Sequence, residues 1–249
     1  MKCITLLTDF GTADGYVGEL KGVLCSAAPE AQIIDIAHDI PPHDVDLARL
    51  SVARYWRRFP EGTVHLAIVD PGVGGERAAL AVSSDGRFLV GPDNGVLSPA
   101  LLLHGARAVR LHVPEGASAT FHGRDVFAPA AARLVAGADL ESLGQPMTAP
   151  IVHRTPEPHR APNGDIVGQV IAIDRFGNAI TNIVTSHRSG SVVVGGKTLP
   201  QRRTYSELTD GEAGAIVGST GLLEIAVREG RASDVLGLRR GDEVVLRER

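Results

Sequence analysis

The residues best equipped for chemistry fall in short clusters of acids, glycines and imidazoles. Val69-Asp70-Pro71-Gly72-Val73-Gly74-Gly75-Glu76-Arg77 sets a carboxylate at the end of an apolar run, then a glycine loop, then a guanidinium. Backbone N–H groups of such a loop can cradle an anion. The segment lacks the Lys-Ser/Thr ending of a P-loop and does not fit G-x-G-x-x-G, so a nucleotide-phosphate site is not expected. A tight turn closed by an Asp70–Arg77 ion pair accounts for the same residues without chemistry. Thr120-Phe121-His122-Gly123-Arg124-Asp125 packs an aromatic ring, an imidazole, a glycine and an ion pair together. Its His122 is suited to accept a proton, donate a hydrogen bond or position a reactant.

Further clusters suit ligand grip. Thr8-Asp9-Phe10-Gly11 places a carboxylate just past an apolar strand, where α/β sheets bind ligands. Asp9 can accept two hydrogen bonds from a ribose diol, or simply cap the following turn. Gly91-Pro92-Asp93-Asn94-Gly95 reads first as a turn. Asp174-Arg175-Phe176-Gly177-Asn178 combines an acid, an aromatic face and an amide. That set suits a stacked purine with hydrogen bonds to its edge, and equally an ordinary β-turn. Gly218-Ser219-Thr220-Gly221 offers hydroxyls to a carboxylate or amine. The remaining histidines (His38, His43, His65, His104, His112, His153, His159 and His187) have no comparable setting and read as core or surface residues. None has convergent metal-ligand spacing, so no metal is expected.

The elements that must position these clusters change character along the chain. Cys3–Leu7, Ile33–Ile36 and Val64–Val69 read as strands, alternating with helices over Tyr16–Ser26 and Val45–Phe59, a βαβ signature. Ala79–Ser83 and Arg87–Gly91 flank an Asp85-Gly86 turn; Ala108–Val113 follows as a strand and Val126–Ala136 as an Ala-rich helix. Residues 1–150 are therefore expected to form a layered α/β domain. A Pro-rich stretch, 151–163, reads as the linker. From 164 to 249, short β-rich runs at Ile166–Ile173, Ala179–Val184, Ser191–Val194, Gly214–Val217, Leu222–Val227 and Glu243–Leu246 predict a small barrel or sandwich. Two unlike domains point to a site at their junction or between subunits.

Composition excludes several classes. The 249 residues are 43% hydrophobic and 22% charged, with a net charge of −4. That is a globular composition with no general attraction to nucleic acid or anionic lipid. No segment approaches the 18 or so apolar residues of a membrane span, and the N-terminus is too soon interrupted by Asp9 to be a signal peptide. Cys3 and Cys25 are too few for a disulfide framework and are expected to be buried free thiols. A reducing, cytoplasmic setting is the expectation.

Together, LTDFG, Tyr16-Val17-Gly18 with Lys21-Gly22, VDPGVG with Arg77, PDNG, TFHGRD and D-R-F-G-N followed by Thr181-Asn182 resemble the S-adenosylmethionine hydroxide adenosyltransferase family, relatives of the fluorinase and chlorinase enzymes. The motifs run in family order from Thr8 to about Arg228. The resemblance implies an N-terminal α/β domain, a C-terminal β-barrel-like domain and a homotrimer with substrate held between subunits. It implies hydrolysis of S-adenosylmethionine to adenosine and L-methionine with no cofactor. By motif, Asp9 would hold the ribose hydroxyls, Asp174 and Ser219 the methionine part, and Phe176 and Asn178 the adenine side. Phe121, Gly123 and Thr220 would complete the substrate contacts, and Asp70, Arg77 and His122 would activate water. Halogenases of the resembled group carry Tyr at the positions of Asp70 and His122, Ser at that of Gly123 and Trp at that of His43. They also carry an insertion after the glycine loop. A carboxylate beside a halide would repel it, so the residues favour hydrolysis. The alternatives are a halogenase and a non-catalytic binder of adenosine or S-adenosylmethionine.

Overall fold

A computed structural model describes residues 2–185 and 190–248, so His187 lies outside the described residues. Contacts divide the chain into Met1–Arg154 and Thr155–Arg249. The first unit contains strands β1 (Cys3–Thr8), β2 (Gln32–Ala37), β3 (Val64–Ile68), β4 (Ala79–Ser84), β5 (Arg87–Pro92), β6 (Arg107–Leu111) and β7 (Gly144–Pro146). They form one sheet in the order β2-β1-β3-β5-β4-β6-β7. Neighbours among β2, β1, β3 and β5 run parallel, whereas β4, β6 and β7 are added antiparallel.

The parallel strands are apolar runs because both of their faces are covered. On β1, Ile4 and Leu6 join one core with Leu20 and Leu24 of α1 (Tyr16–Ala27), while Leu7 joins a second core on the other face. That second core takes Ala48 and Val52 of α2 (Val45–Tyr55) and Ala100 of the short α3 (Ser98–Leu101). Helix α4 (Ala128–Val135) covers the first face beside α1. The unit is thus a helix–sheet–helix sandwich, as expected for its class. Asp44 starts α2 by accepting from Leu47 N at 2.9 Å, satisfying an otherwise orphaned donor.

The local expectations fail where packing overrides pattern. The helix expected over Val45–Phe59 stops at Tyr55 and tightens into a 3₁₀ turn at Trp56–Arg58. Cys3 is buried but Cys25 is exposed. Helical geometry turns Cys25 about 100° from the Leu24 side chain that enters the core. Part of the expected linker is anchored to the first unit: Ile151 N donates to Asp93 Oδ1 at 2.7 Å and His153 N to Ser98 Oγ at 2.8 Å.

The second unit contains β8 (His159–Arg160), β9 (Ile166–Ile173), β10 (Ala179–Val184), β11 (Gly190–Val194), β12 (Lys197–Arg202), β13 (Ala213–Val217), β14 (Leu222–Val227) and β15 (Glu243–Glu248). The order β10-β14-β13-β12-β11-β15-β9 returns to β10 through the β10–β9 pair. The ring is a closed barrel, which removes its sheet edges, and β8 is added outside it on β9. Its core includes Val170, Ile183, Val192, Leu223 and Val244.

Candidate active site

The strand order of the first unit explains why its chemical clusters converge. Strand β1 has β2 on one side and β3 on the other, both parallel to it. The winding direction therefore reverses between β1 and β3, and the carboxyl ends of strands at such a switch form a crevice. Asp9 follows β1, Asp70 lies two residues beyond β3, and Asp93-Asn94 follows β5. These residues far apart in sequence share one end of one sheet.

Asp70, Arg77 and His122 form a single hydrogen-bonded group. Arg77 grips Asp70 with a fork: Nε donates to Oδ1 at 3.0 Å and Nη2 donates to Oδ2. The same Nη2 lies 2.9 Å from His122 Nδ1. Only 9% of the Arg77 side chain and 6% of the Asp70 side chain are exposed, so this ion pair is largely shielded from water. Arg77 also lies over the buried Phe127 ring, 5.3 Å from its centroid, a cation–π contact strengthened by desolvation.

The contact fixes the imidazole tautomer. A guanidinium has no acceptor, so Nδ1 of His122 must be bare and accept from Arg77; the neutral ring then carries its proton on Nε2. Burial, then the positive charge of Arg77, hold His122 below the usual histidine pKa against the opposing pull of Asp70 and Asp125. His122 is accordingly a neutral hydrogen-bond donor through Nε2.

Loop chemistry holds the three residues in place. Gly74 has φ of +74°, and a Cβ there would lie 2.1 Å from the Ala119 carbonyl oxygen. Only glycine suits both the left-handed backbone and the close approach of the 70–77 loop to the segment leading into His122. Beyond His122, Gly123–Phe127 forms one π-helical turn before α4, a widening often found at functional sites. Arg124 forks onto Asp125 at 2.7 and 3.0 Å, and Asp125 Oδ2 accepts from Ser118 N at 2.9 Å. On the other side, Asn94 Nδ2 donates to Val69 O at 2.8 Å while its Oδ1 accepts from Val96 N at 3.2 Å. The PDNG segment is a brace for the end of β3.

A cleft of about 270 Å³ opens over this group, lined by Asp9, Phe10, Tyr16, Pro42, His43, Ile68, Asp70, Val73, Thr120, Phe121, His122 and Gly123. Asp9, Asp70, Phe121, His122 and Gly123 were expected at a site, and Arg77 stands directly behind Asp70. Sequence reasoning missed Phe10 and Tyr16. Their rings pack edge to face with Phe121 at centroid distances of 5.8 and 5.4 Å, making an apolar wall. His43, read from sequence as a core or surface residue, is exposed and lines the cleft. It adopts φ of +69°, and its N–H donates to Asp9 Oδ2 at 2.9 Å.

In the second unit, Asp174 and Asn178 hold each other. Asp174 Oδ1 accepts from Phe176 N and Asn178 N, both at 2.9 Å, and Oδ2 accepts from Asn178 Nδ2 at 3.0 Å. Phe176 projects from this turn with 75% of its surface exposed. Ser219 and Thr220 stand exposed on the separate β13–β14 turn, closed by Gly221 N donating to Gly218 O at 3.0 Å. Among the described residues no three His, Cys, Asp or Glu side chains converge as metal ligands, and no helix is long and apolar enough to cross a membrane.

The sequence matches the SAM hydroxide adenosyltransferase N-terminal domain over residues 4–144 and its C-terminal domain over residues 168–245. The chain belongs to the SAM hydroxide adenosyltransferase family. Similar relatives include the (R)-S-adenosyl-L-methionine hydrolases of Thermus thermophilus, 42% identical with 99% of this chain and 100% of that protein covered, and Salinispora arenicola, 40% identical with 97% and 96% covered. A fluorinase of Nocardia brasiliensis is more distant, 31% identical with 72% of this chain and 70% of that protein covered. The crystal structure of a conserved protein from Thermotoga maritima superposes with a TM-score of 0.89 at 35% identity, covering 98% of this chain and 100% of that one. The hydroxide adenosyltransferase motifs named from sequence thus bracket both units.

Proposed function

We propose that the chain hydrolyses S-adenosyl-L-methionine to adenosine and L-methionine, with Asp70, Arg77 and His122 directing water onto ribose C5′. The observation that carries the reading is the Asp70–Arg77–His122 group, hydrogen-bonded at the floor of a cleft at the switch point. The names of the full-length relatives support the substrate, and in particular its (R) epimer at sulfur.

The chemistry asks little of the leaving group. A sulfonium departs as a neutral thioether, taking the C5′–S electron pair, so no general acid is needed. Water is the weak partner. His122 Nε2–H donates to the water oxygen, the Asp70 carboxylate accepts one of its protons, and Arg77 fixes both by its fork and its Nδ1 contact. The new C5′–O bond gives adenosine, and the proton passes from Asp70 to solvent. Holding the oxygen about 3–3.5 Å from C5′, in line with sulfur, supplies the proximity part of the acceleration. Asp70 also opposes a halide nucleophile, because a carboxylate raises the cost of a second anion beside it.

The rest of the site follows the same reading. Asp9 grips the ribose hydroxyls, with Phe121 and Gly123 forming the neighbouring wall. Asp174, Phe176, Asn178, Ser219 and Thr220 contact the methionine and adenine ends, with the substrate shared between subunits of a cytoplasmic homotrimer. No cofactor or metal enters the scheme. Incubating the protein with each sulfur epimer in halide-free and in chloride buffer, followed by chromatography, tests it. Adenosine in both buffers is the expected result; 5′-chloroadenosine would place the chain with the halogenases, and no product would leave a binding protein. Light scattering of the purified chain tests the trimer.

A further inference from the structure

A chain of polar contacts runs from the exposed Lys21–Asp35 pair inward to the loop that carries Asp9, and the Asp70–Arg77–His122 group does not use it. Thr8, at the end of β1, is fully buried, and His38, just past β2, is 8% exposed. Thr8 Oγ1 stands 2.9 Å from His38 Nδ1 and also accepts from Phe10 N at 3.3 Å. The other imidazole nitrogen, Nε2, stands 3.1 Å from Asp35 Oδ1. Asp35 is held in turn by Lys21 of α1, whose Nζ donates to Oδ2 at 2.6 Å. His38 holds the loop a second time through its backbone, as its carbonyl accepts from Gly11 N at 2.7 Å. On one side of Asp9, Thr8 is thus tied to the His38 imidazole, and on the other Gly11 is tied to the His38 carbonyl.

The order of hydroxyl, imidazole and carboxylate resembles a nucleophilic triad, but the burial of Thr8 rules out attack on any ligand in the cleft. The Thr8–His38 contact at its inner end is buried, and a buried polar contact of this kind fixes one geometry. We propose that His38 is a positioning residue: through Thr8 and its own carbonyl it sets the Asp9–Phe10 segment that grips the ribose, and Asp35 with Lys21 orients the imidazole. The proposal rests on the reading of Asp9 as a ribose ligand for its effect on catalysis, but not for its effect on the loop.

Two measurements on the full chain separate these levels. Amide hydrogen exchange of residues 9–12 is expected to quicken about tenfold in His38→Ala, the scale of one buried hydrogen bond, and severalfold in Asp35→Asn, with barrel amides unchanged. KM for S-adenosylmethionine is expected to rise about tenfold in His38→Ala with kcat changed less. His38→Asn, which keeps a polar atom near the Nδ1 position, should restore part of both. Asp35 does not line the cleft, so a raised KM in Asp35→Asn, and no further rise on adding it to His38→Ala, would report coupling through the chain. Glu30→Gln, which removes the surface ion pair with Lys2, is the control expected to do nothing. Loop exchange at the wild-type rate in folded His38→Ala overturns the proposal. If the wild-type chain turns over no S-adenosylmethionine, the functional reading falls while the exchange measurement still decides the role of His38.

Discussion

At the residue scale the proposed water-directing group of Asp70, Arg77 and His122 divides its roles by what each side chain is able to donate. Arg77 donates only, which forces His122 to accept at Nδ1 and leaves a donor at Nε2. Asp70 is then the carboxylate that can take a proton. His122→Ala should lower kcat by about 10²–10³-fold with KM nearly unchanged, the scale of losing one preorganised donor. His122→Gln, which keeps an N–H but no base, should retain measurably more activity; equal loss in both would make the imidazole the base instead. The pH profile follows from the same bond. Protonating Nδ1 breaks the Arg77 contact, so activity requires neutral His122 and is lost as pH falls through its pKa. Burial and Arg77 depress that pKa, so kcat/KM should stay level from neutral pH to below about 6.5, the ordinary histidine value, before dropping. His122→Gln should lack that acid limb.

At the element scale the site depends on how strand ends are braced. Asn94 holds the Val69 carbonyl next to Asp70. Asn94→Ala should cost about 1–2 kcal/mol in stability, from the lost hydrogen bond to the carbonyl of buried Val69, and reduce kcat through the displaced Asp70. Asn94→Asp should be worse, because it sets a carboxylate against that carbonyl; urea melts and steady-state rates of the pair test the order. The strand signals were legible in sequence: β1, β3, β9 and β14 are apolar or alternating runs, and periodicity places them within a residue or two. What escaped was set by tertiary pairing. Pro200 sits inside β12, opposite Ser191 of β11, and Pro146 sits on the edge strand β7, where a missing N–H is tolerated. No strand is expected from sequence at either place. Asp70 and Arg77 were legible as a pair, being seven residues apart, but the arrival of His122 depends on the π-helical turn and on the Gly74–Ala119 approach. His38 was passed over because its partners, Thr8 and Asp35, come from separate strands.

At the scale of the whole molecule the two units have separate cores, and one buried histidine should make them respond differently to acid. His65, the second residue of β3, is fully buried. Thr5 Oγ1 lies 2.8 Å from its Nδ1, and the rings of Tyr55, Trp56 and Phe59 surround it edge to face. Burial pushes its pKa down to about 4. The folded protein therefore keeps His65 neutral in a range where the unfolded chain, with an ordinary value near 6.5, binds a proton. More protons on the unfolded state mean that stability falls as pH drops, starting near 6.5 and levelling off near 4. A shift from about 6.5 to about 4 corresponds to a loss of about 3 kcal/mol across that window. His65→Gln should be less stable at pH 7 but should lose less on acidification. If hydrogen exchange of the two proteins is compared between pH 7 and pH 4.5, the difference in their pH response should appear in the amides of β1 and β3 and be absent from the barrel. An equal difference in the barrel amides would mean that the two cores unfold as one cooperative unit, and that His65 protonation is felt across the whole chain.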